Sequence, residues 1–282
     1  MFIQWFPGHM THAIRMMSQE IRLVDSVIYV LDARSPLSCI NDVFDSIIGT
    51  RPCLYVLNKC DLVEYRDVLK WIDFFKRNGK ACLPASNMGK HDTQNIISKL
   101  TEINTKTIEK YKARGISKTI RAMVIGVPNT GKSTIINCLT GGKKTATGNI
   151  PGVTRGKQWV VVNKYTELMD SPGVLYPDFK NQFKAIKLAL IGSIKDDIID
   201  TVELATEGIK LLTKIAPSML ESKYAINKTE NSPISILEQI CKHRGCILRG
   251  GELDLDRGGA AFINDFRKGL IGKIILDEIP IR

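Results

Sequence analysis

The feature that most constrains the fold of this chain is the segment MVIGVPNTGKST, residues 123 to 134. It contains the pattern G-x-x-x-x-G-K-S, in which Lys132 would reach the β and γ phosphates of a nucleotide and Ser133 would coordinate Mg²⁺. The glycines let the backbone wrap tightly, so that successive N–H groups and the start of a following helix face phosphate oxygens. An apolar run precedes the pattern and a helical periodicity follows it. The segment therefore predicts a nucleotide-phosphate loop in an α/β domain.

A second motif predicts which base is bound. In YVLNKCD, residues 55 to 61, an apolar run ends in N-K-x-D, the guanine-reading signature of the GTPase superfamily. Asp61 would accept hydrogen bonds from guanine N1–H and the 2-amino group, whereas adenine offers neither donor, so discrimination of roughly 10⁴ to 10⁵ is expected. Lys59 would lie along the base, and Asn58 would contact the phosphate loop. Together with that loop, the motif favours a GTPase over an ATPase or a kinase.

The order of these motifs is unusual. N-K-C-D precedes the phosphate loop by about seventy residues, whereas ordinary GTPases have the reverse order. LPASNMG (83–89) is predicted to supply a second base contact, PGVTRG (151–156) a switch threonine, and DSPG (170–173) a contact to Mg²⁺ and the γ phosphate. We therefore expect a circularly permuted P-loop GTPase domain with a mostly parallel sheet and helices on both faces, followed by a smaller all-α domain.

With these motifs in place, the sequence closely resembles the RbgA/YlqF-type circularly permuted GTPases, bacterial assembly factors for the large ribosomal subunit. The resemblance covers nearly the whole chain, and its most specific segments are WFPGHM (5–10), DARSP (32–36) and GGELDLDRGGAAFINDFRKGLIGKI (250–274). It implies GTP and GDP as ligands, Mg²⁺ as cofactor, and a precursor of the large subunit with its rRNA as partner. It implies neither a membrane nor a DNA partner.

The resemblance also assigns individual site residues. Those implied to contact GTP are Asn58, Lys59, Asp61, Ala85, Ser86, Asn129, Thr130, Gly131, Lys132, Ser133, Thr134 and Gly173. Ser133, Thr154 and Asp170 are the implied Mg²⁺ ligands, and the Ala85 N–H is implied to meet guanine O6. Asn129 has two interpretations: in some GTPases an asparagine here helps to hold K⁺, and otherwise it is a loop residue that bonds its own backbone.

The residue that would position the attacking water is missing from its usual place. Phosphoryl transfer requires an oriented water and neutralised charge, and Lys132, Thr154 and Mg²⁺ would supply much of the neutralisation. Familiar GTPases carry a glutamine directly after D-x-x-G, but this chain has Val174. His9 is the candidate replacement, because neutral imidazole can accept a hydrogen bond from water. His9 could instead be a solvated histidine in a turn. The water could then be positioned by a switch carbonyl acting with K⁺ or by an RNA group from the ribosome.

Charge distribution supports a polyanionic partner. Residues 1–180 hold 25 Lys and Arg against 15 Asp and Glu, whereas residues 181–282 hold 15 against 14. Such a surplus favours nucleic acid through counterion release, although a generally solvated basic surface would look the same. No stretch of about 18 apolar residues is present. We expect a cytoplasmic protein.

The elements predicted for the first domain, residues 1–178, are helices at 11–23, 65–78 and 92–113, a strand at 81–84, and strands at 158–162 and 165–169. Beyond residue 178 apolar residues recur at helical spacing, which predicts an all-helical RNA- or ribosome-binding domain at 179–282. Its late basic residues are Lys242, Arg244, Arg249, Arg257, Arg267, Lys268 and Lys273. Arg257 and Arg267 could instead pair with Asp254, Asp256 or Asp265.

Permutation places the helical domain directly behind D-S-P-G, the segment expected to move when the γ phosphate is lost. Two functions follow. In the first, the chain is a slow GTPase that large subunits stimulate, and hydrolysis reorients the helical domain. In the second, it is a nucleotide-gated RNA-binding module in which hydrolysis only resets the cycle.

Overall fold

A computed structural model describes residues 3, 8–86, 89–142, 158–175, 181–226 and 232–280, without the side chains of residues 9 and 158. Across these residues no helix is both long and apolar enough to cross a membrane. Six strands form one sheet in this part of the chain: β1 (Ser26–Asp32), β2 (Cys53–Asn58), β3 (Ala81–Pro84), β4 (Ile120–Ile125), β5 (Gln158–Asn163) and β6 (Thr166–Asp170). The strand order is β3-β2-β1-β4-β6-β5, and β5 is antiparallel to β6 while the remaining pairs are parallel. The predicted, mostly parallel sheet is confirmed.

This topology brings the sequence motifs to one edge. Strands β2, β1, β4 and β6 are consecutive neighbours in the sheet, and their carboxyl ends carry N-K-C-D, D-A-R-S-P, the phosphate loop and D-S-P-G respectively. In open α/β sheets ligands bind beyond the carboxyl ends of the strands, where the strand order reverses. Motifs separated by more than a hundred residues in the sequence therefore meet in one crevice.

Helices cover both faces of the sheet. Those of the α/β part are α1 (Gly8–Glu20), α2 (Asp42–Ile48), α3 (Tyr65–Arg77), α4 (Lys90–Ile103), α5 (Thr105–Lys112) and α6 (Lys132–Leu139). Side chains of β1 alternate between two cores: Tyr29 and Leu31 pack with α1, α2 and α3, whereas Ile28 and Val30 pack with α4 and α6. The sheet is therefore buried on both faces, as its continuous apolar strands require.

A helical region follows the sheet. Its helices are α7 (Gln182–Leu190), α8 (Thr201–Ile215), α9 (Pro217–Tyr224), α10 (Pro233–Arg244) and α11 (Leu255–Arg267). Gly208 of α8 permits close packing, since a Cβ there would lie 2.9 Å from both Leu190 and Phe262. The apolar residues of this region join the core that contains Tyr29 and Leu31. The helical region thus packs directly against the α/β part.

Several elements differ from those predicted. Helix α1 begins at Gly8, three residues earlier than expected, and the helix predicted at 92–113 is two helices separated by Asn104. The amide of Asn104 donates to Leu100 O and to Ser26 Oγ and its backbone departs from helical angles. Helix α11 ends at Arg267 because Gly269 takes a φ of 70°. Helices α2 and α9 were not predicted.

The chain returns to the α/β part after α11. Leu276 N–H donates to Arg34 O at 2.7 Å, which places this segment beside the end of β1. The buried Asp277 carboxylate accepts from Ser38 N–H and Ser38 Oγ at 2.9 and 2.8 Å. It also lies 2.8 Å from Lys187 Nζ of α7. Segment 270–280 therefore joins the two parts of the molecule through buried polar contacts.

Candidate functional site

The phosphate loop connects β4 to α6 and has two glycines in conformations that other residues rarely adopt. Gly126 has a φ of 151° and Gly131 a φ of 95°. A Cβ on Gly126 would collide with Val30 O, and one on Gly131 would collide with the amide of Asn58. The loop therefore lies directly against β1 and β2, and both glycines are required by their surroundings.

Lys132 begins helix α6 and is buried. Its Nζ donates to Val127 O at 2.9 Å, so the ammonium lies inside the loop that would hold phosphates. Burial lowers the pKa of Lys132 to about 8, although the Asp170 carboxylate raises it. An arriving phosphate would find an ammonium that has already lost much of its hydration.

Ser133 and Asp170 provide adjacent oxygen atoms. Ser133 Oγ donates to Asp170 Oδ2 at 2.9 Å, and Asp170 is fully buried at the end of β6. A hydroxyl and a carboxylate beside a phosphate loop are oxygen donors of the kind that Mg²⁺ takes. These residues fit the Mg²⁺ that P-loop GTPases generally use. Thr154, the third predicted ligand, lies outside the described residues.

The base-reading loop, N-K-C-D at residues 58–61, reaches the phosphate loop through two side chains. Asn58 Nδ2 donates to Thr130 O at 2.8 Å, and Lys59 Nζ donates to Asn129 O at 2.7 Å. Lys59 itself has a left-handed backbone, with a φ of 60°. The predicted contact between Asn58 and the phosphate loop is therefore present. Two motifs about seventy residues apart form one continuous site.

Asp61 lies in a short 3-10 turn directly after Lys59 and is exposed. The neighbouring loop after β3 differs from its expected role in one respect. The Ala85 N–H donates to Leu57 O at 2.7 Å, which continues the pairing of β2 and β3. That N–H is engaged in the sheet, which corrects its expected contact to guanine O6. Ser86 follows, and its own N–H donates to Asp92 Oδ2 at 2.9 Å.

The phosphate loop also contacts the helical region. Asn129 has a φ of 59°, and its Nδ2 donates to Gly192 O at 2.6 Å. Ser193 Oγ donates to Pro128 O at 2.7 Å. Gly192 and Ser193 follow α7, and nothing in their local sequence pointed to a contact with the loop. The predicted K⁺ ligand Asn129 thus contacts the helical region through its amide nitrogen.

The D-S-P-G segment lies against the same loop. A Cβ on Gly173 would lie 2.7 Å from Pro128 Cα and 2.9 Å from Lys132 Nζ, so only glycine fits there. Val174 is fully buried in the core. Leu175 N–H approaches Met10 Sδ of α1 at 3.5 Å, so the first turn of α1 reaches the end of this segment. The His9 side chain lies outside the described residues.

Asp32 and Arg34 also lie at this edge of the sheet, although no motif predicted them as site residues. Asp32 ends β1 and lies opposite Asn58 in the sheet register. Its Oδ2 lies 2.9 Å from Lys59 Nζ and 2.7 Å from Arg34 Nη2. The available signal was position: D-A-R-S-P directly follows the first buried strand, as N-K-C-D follows the second.

The basic residues of the helical region fall into two groups. Arg267 donates to both Asp196 oxygens at 2.7 Å, and Arg244 lies 3.0 Å from Asp265, so both have structural partners. Arg267 therefore has a structural partner, but the partners predicted for it were wrong, because Asp196 takes their place. Arg257 lies 3.9 Å from Asp254. The other members of the set are all exposed: Lys242, Arg249, Arg257, Lys268 and Lys273.

Comparisons with known proteins identify relatives of this chain. A family model described as 50S ribosome-binding GTPase matches residues 121–237. The chain is 36% identical to Ribosome biogenesis GTPase A of Bacillus cereus over 98% of this chain and 94% of that protein. It is 32% identical to Mitochondrial ribosome-associated GTPase 1 of Bos taurus over 98% of this chain and 88% of that protein.

Solved structures resemble the fold over almost its whole length. A GDP-bound structure of TM YlqF gives a TM-score of 0.69 at 25% identity, covering 93% of this chain and 98% of that chain. A GNP-bound structure of YlqF from Thermotoga maritima gives a TM-score of 0.68 at 25% identity, covering 95% and 98%.

Proposed function

The chain belongs to the ribosome biogenesis GTPase A family and is a GTPase, and on that premise we propose that it is an assembly factor for the large (50S) ribosomal subunit. It binds GTP and GDP at the carboxyl edge of the sheet. Its own turnover is slow and is stimulated by the precursor of the large subunit. Residues 1–178 form the GTPase domain, and residues 179–282 form the domain that binds rRNA or the pre-ribosome.

The observation that carries this proposal is the contact between the base-reading loop and the phosphate loop. Asn58 and Lys59 each donate to a phosphate-loop carbonyl, on Thr130 and Asn129 respectively. These hydrogen bonds fix the distance between the place for a base and the place for its phosphates. Such a fixed distance suits a nucleoside di- or triphosphate, and the exposed Asp61 makes guanine the favoured base.

Charge neutralisation falls to buried groups. Lys132 places its ammonium within the loop, where low dielectric strengthens its interaction with phosphate oxygens. Ser133, Thr154 and Asp170 are the residues that would hold Mg²⁺. When bound, that ion supplies positive charge to the β and γ phosphates. The Gly173 N–H is the remaining donor proposed for the γ phosphate.

The residue that orients the attacking water must come from outside the D-S-P-G segment and Val174. Val174 is buried and apolar, so it cannot orient water. His9 is our candidate, because α1 begins at Gly8 and Met10 already contacts Leu175, two residues beyond Gly173. Asn129 is the residue that would hold K⁺, which would supply further positive charge near the phosphates.

The proposed RNA contact lies late in the helical region. Arg249 is exposed in the loop between α10 and α11, beside Ile247 and Leu248, which are 49% and 48% exposed. Exposed cations can contact phosphates, and adjacent apolar side chains can pack on bases or on a ribosomal protein. Residues 181–282 have a surplus of only one positive charge. The proposal therefore requires that the exposed lysines and arginines of this domain lie on one shared surface.

The test is a GTP turnover assay with and without purified large subunits, in K⁺ and in Na⁺, for wild type and His9→Ala. We expect large subunits to raise the GTP turnover rate of wild type. We also expect a higher rate in K⁺ than in Na⁺. In His9→Ala the subunit-stimulated GTP turnover rate is expected to fall by about a hundredfold, while the variant still binds the subunit. Equal rates in K⁺ and Na⁺ would remove the role of Asn129 in holding K⁺.

The same assay separates the alternative function. If His9→Ala keeps the stimulated rate and GTP controls subunit binding, the chain is a nucleotide-gated RNA-binding module whose hydrolysis resets the cycle. If large subunits change neither the rate nor the nucleotide affinity, the proposed partner is wrong.

A further inference from the structure

Asp32 is a fully buried carboxylate that the proposed nucleotide contacts do not explain. It ends β1, and its two oxygens accept from Arg34 Nε at 2.9 Å and Arg34 Nη2 at 2.7 Å. Oδ2 also lies 2.9 Å from Lys59 Nζ. One buried anion therefore holds two cations that point in different directions.

The charge state of Asp32 is set by those two cations. Burial raises the pKa of the Asp32 carboxyl, but the charges and hydrogen bonds of Arg34 and Lys59 lower it by more, so the pKa lies well below its ordinary value. A buried carboxylate is costly without such partners. Removal of its charge should therefore release both cations from their present positions.

On one side, Asp32 fixes Lys59. The ammonium of Lys59 lies between the Asp32 carboxylate and Asn129 O, and the Lys59 backbone is left-handed at its base. The side chain is 28% exposed, so its stem borders the crevice while its head is held. A lysine stem held in this way is pre-organised to lie along a guanine ring, which reduces the ordering cost of binding.

On the other side, Asp32 fixes Arg34, which reaches the helical region. Arg34 Nη1 donates to Arg267 O at 3.0 Å, and Nη2 donates to Ile191 O at 3.4 Å. These carbonyls lie at the carboxyl ends of α11 and α7, where a cation is favoured by the helix dipoles. The guanidinium also lies 5.7 Å from the centre of the Phe266 ring.

We propose that Asp32 is a positioning residue for guanine recognition through Lys59, and that Asp32 and Arg34 couple occupancy of the base pocket to the ends of α7 and α11. This inference rests on the proposed guanine-nucleotide site. It gives the D-A-R-S-P segment a role: its aspartate orders the base contact, and its arginine transmits that order to the helical region.

The first experiment measures the affinity of a fluorescent GDP analogue together with KM and kcat for GTP. Asp32→Asn keeps the shape of the side chain but removes its charge. We expect it to weaken GDP binding and raise KM by about tenfold, and to leave kcat within about twofold, because a charge-assisted hydrogen bond to Lys59 is lost. An unchanged GDP affinity would overturn the proposal.

Asp265→Asn is the matched control. Asp265 is also a buried carboxylate paired with an arginine, 3.0 Å from Arg244, and it accepts from Tyr224 Oη at 2.9 Å, but it lies within the helical region. We expect Asp265→Asn to change folding stability without changing GDP affinity. If both variants weaken GDP equally, the effect of Asp32→Asn is structural and the proposal fails.

The second experiment uses Arg34→Met, which removes the guanidinium that reaches the helical region and tests the coupling even if Asp32→Asn does not fold. Hydrogen exchange at backbone amides of residues 188–193 and 266–270 is compared with and without GDP. In wild type GDP should slow this exchange. With both proteins saturated with GDP, the GDP-dependent slowing should disappear in Arg34→Met, because the guanidinium that contacts the ends of α7 and α11 is gone. Slowing that persists in Arg34→Met would overturn the coupling. Wild type that binds no GDP would instead reject the proposed function itself.

Discussion

The phosphate loop is contacted from two sides that differ in kind. From the base-reading loop, Asn58 and Lys59 extend side-chain donors to the carbonyls of Thr130 and Asn129. Both residues belong to the N-K-C-D motif, which is recognisable in the sequence. The contacts on this side lie between two parts of the nucleotide site and would act on its affinity directly.

From the helical region the contacts are of another type. The Gly192 carbonyl accepts from the Asn129 amide, and the Ser193 hydroxyl donates to Pro128 O. One is a backbone group and the other a common serine, and both follow the end of α7. We expect contacts from the base-reading loop to act mainly on guanine affinity and contacts from Gly192 and Ser193 to act mainly on the packing of the helical region, so substitutions on the two sides should have separable effects.

The largest effect is expected on the base-reading side. Asn58→Ala removes the donor to Thr130 O and leaves that carbonyl buried without it. We expect the GDP affinity to fall by about tenfold to a hundredfold, because an unmatched buried polar group is costly. Titration calorimetry measures this directly. An affinity equal to wild type would show that the contact between the two loops does not organise the site.

The pH dependence of GDP affinity tests the role of the Lys132 amine inside the phosphate loop. Burial lowers the pKa of Lys132 to about 8. A bound phosphate favours the charged amine, so above pH 8 binding must be accompanied by proton uptake. The affinity for GDP should then fall by up to about tenfold per pH unit above pH 8 and be nearly constant below it.

The control for this pH profile is Lys132→Met. It should bind more weakly at every pH and lose the steep fall above pH 8 that depends on the amine. A parallel profile in wild type and Lys132→Met would assign the pH dependence to another group.

The smallest effect is expected on the helical side. Ser193→Ala removes the hydroxyl that donates to Pro128 O. A hydrogen bond of this kind contributes about 1 kcal/mol to stability. We expect a lower midpoint of thermal unfolding in the absence of nucleotide, with the GDP affinity within about twofold of wild type. A loss of affinity as large as that of Asn58→Ala would erase the distinction between the two sides.

Much of the fold could be predicted because its signals are local. The phosphate loop requires glycines at two positive φ angles, and apolar strands such as β1 and β2 are buried on both faces. The reversed order of the motifs was sufficient to predict circular permutation. Helix bounds were less certain, because Asn104 breaks a periodic stretch through its own side-chain hydrogen bonds, which periodicity does not reveal.

The parts of the site that sequence did not reveal depend on tertiary contacts. Asp32 and Arg34 became interpretable only when the register placed Asp32 opposite Asn58 and the helical region supplied carbonyls for Arg34. Ala85 was assigned from the motif alone, but pairing with Leu57 already uses its N–H. Hydrogen bonds made by backbone groups that tertiary packing brings together have no signature in the sequence.

The most direct test of the account measures base discrimination. Wild type and Asp61→Asn are titrated with GDP, ADP and xanthosine diphosphate. Wild type should prefer GDP over ADP by about 10⁴-fold or more, because the carboxylate accepts two guanine donors that adenine lacks. Asp61→Asn should lose that preference and gain affinity for xanthosine diphosphate, whose 2-oxygen accepts a hydrogen bond from the new amide. Equal affinity of wild type for GDP and ADP would contradict the claim that N-K-C-D and the phosphate loop form one guanine-nucleotide site.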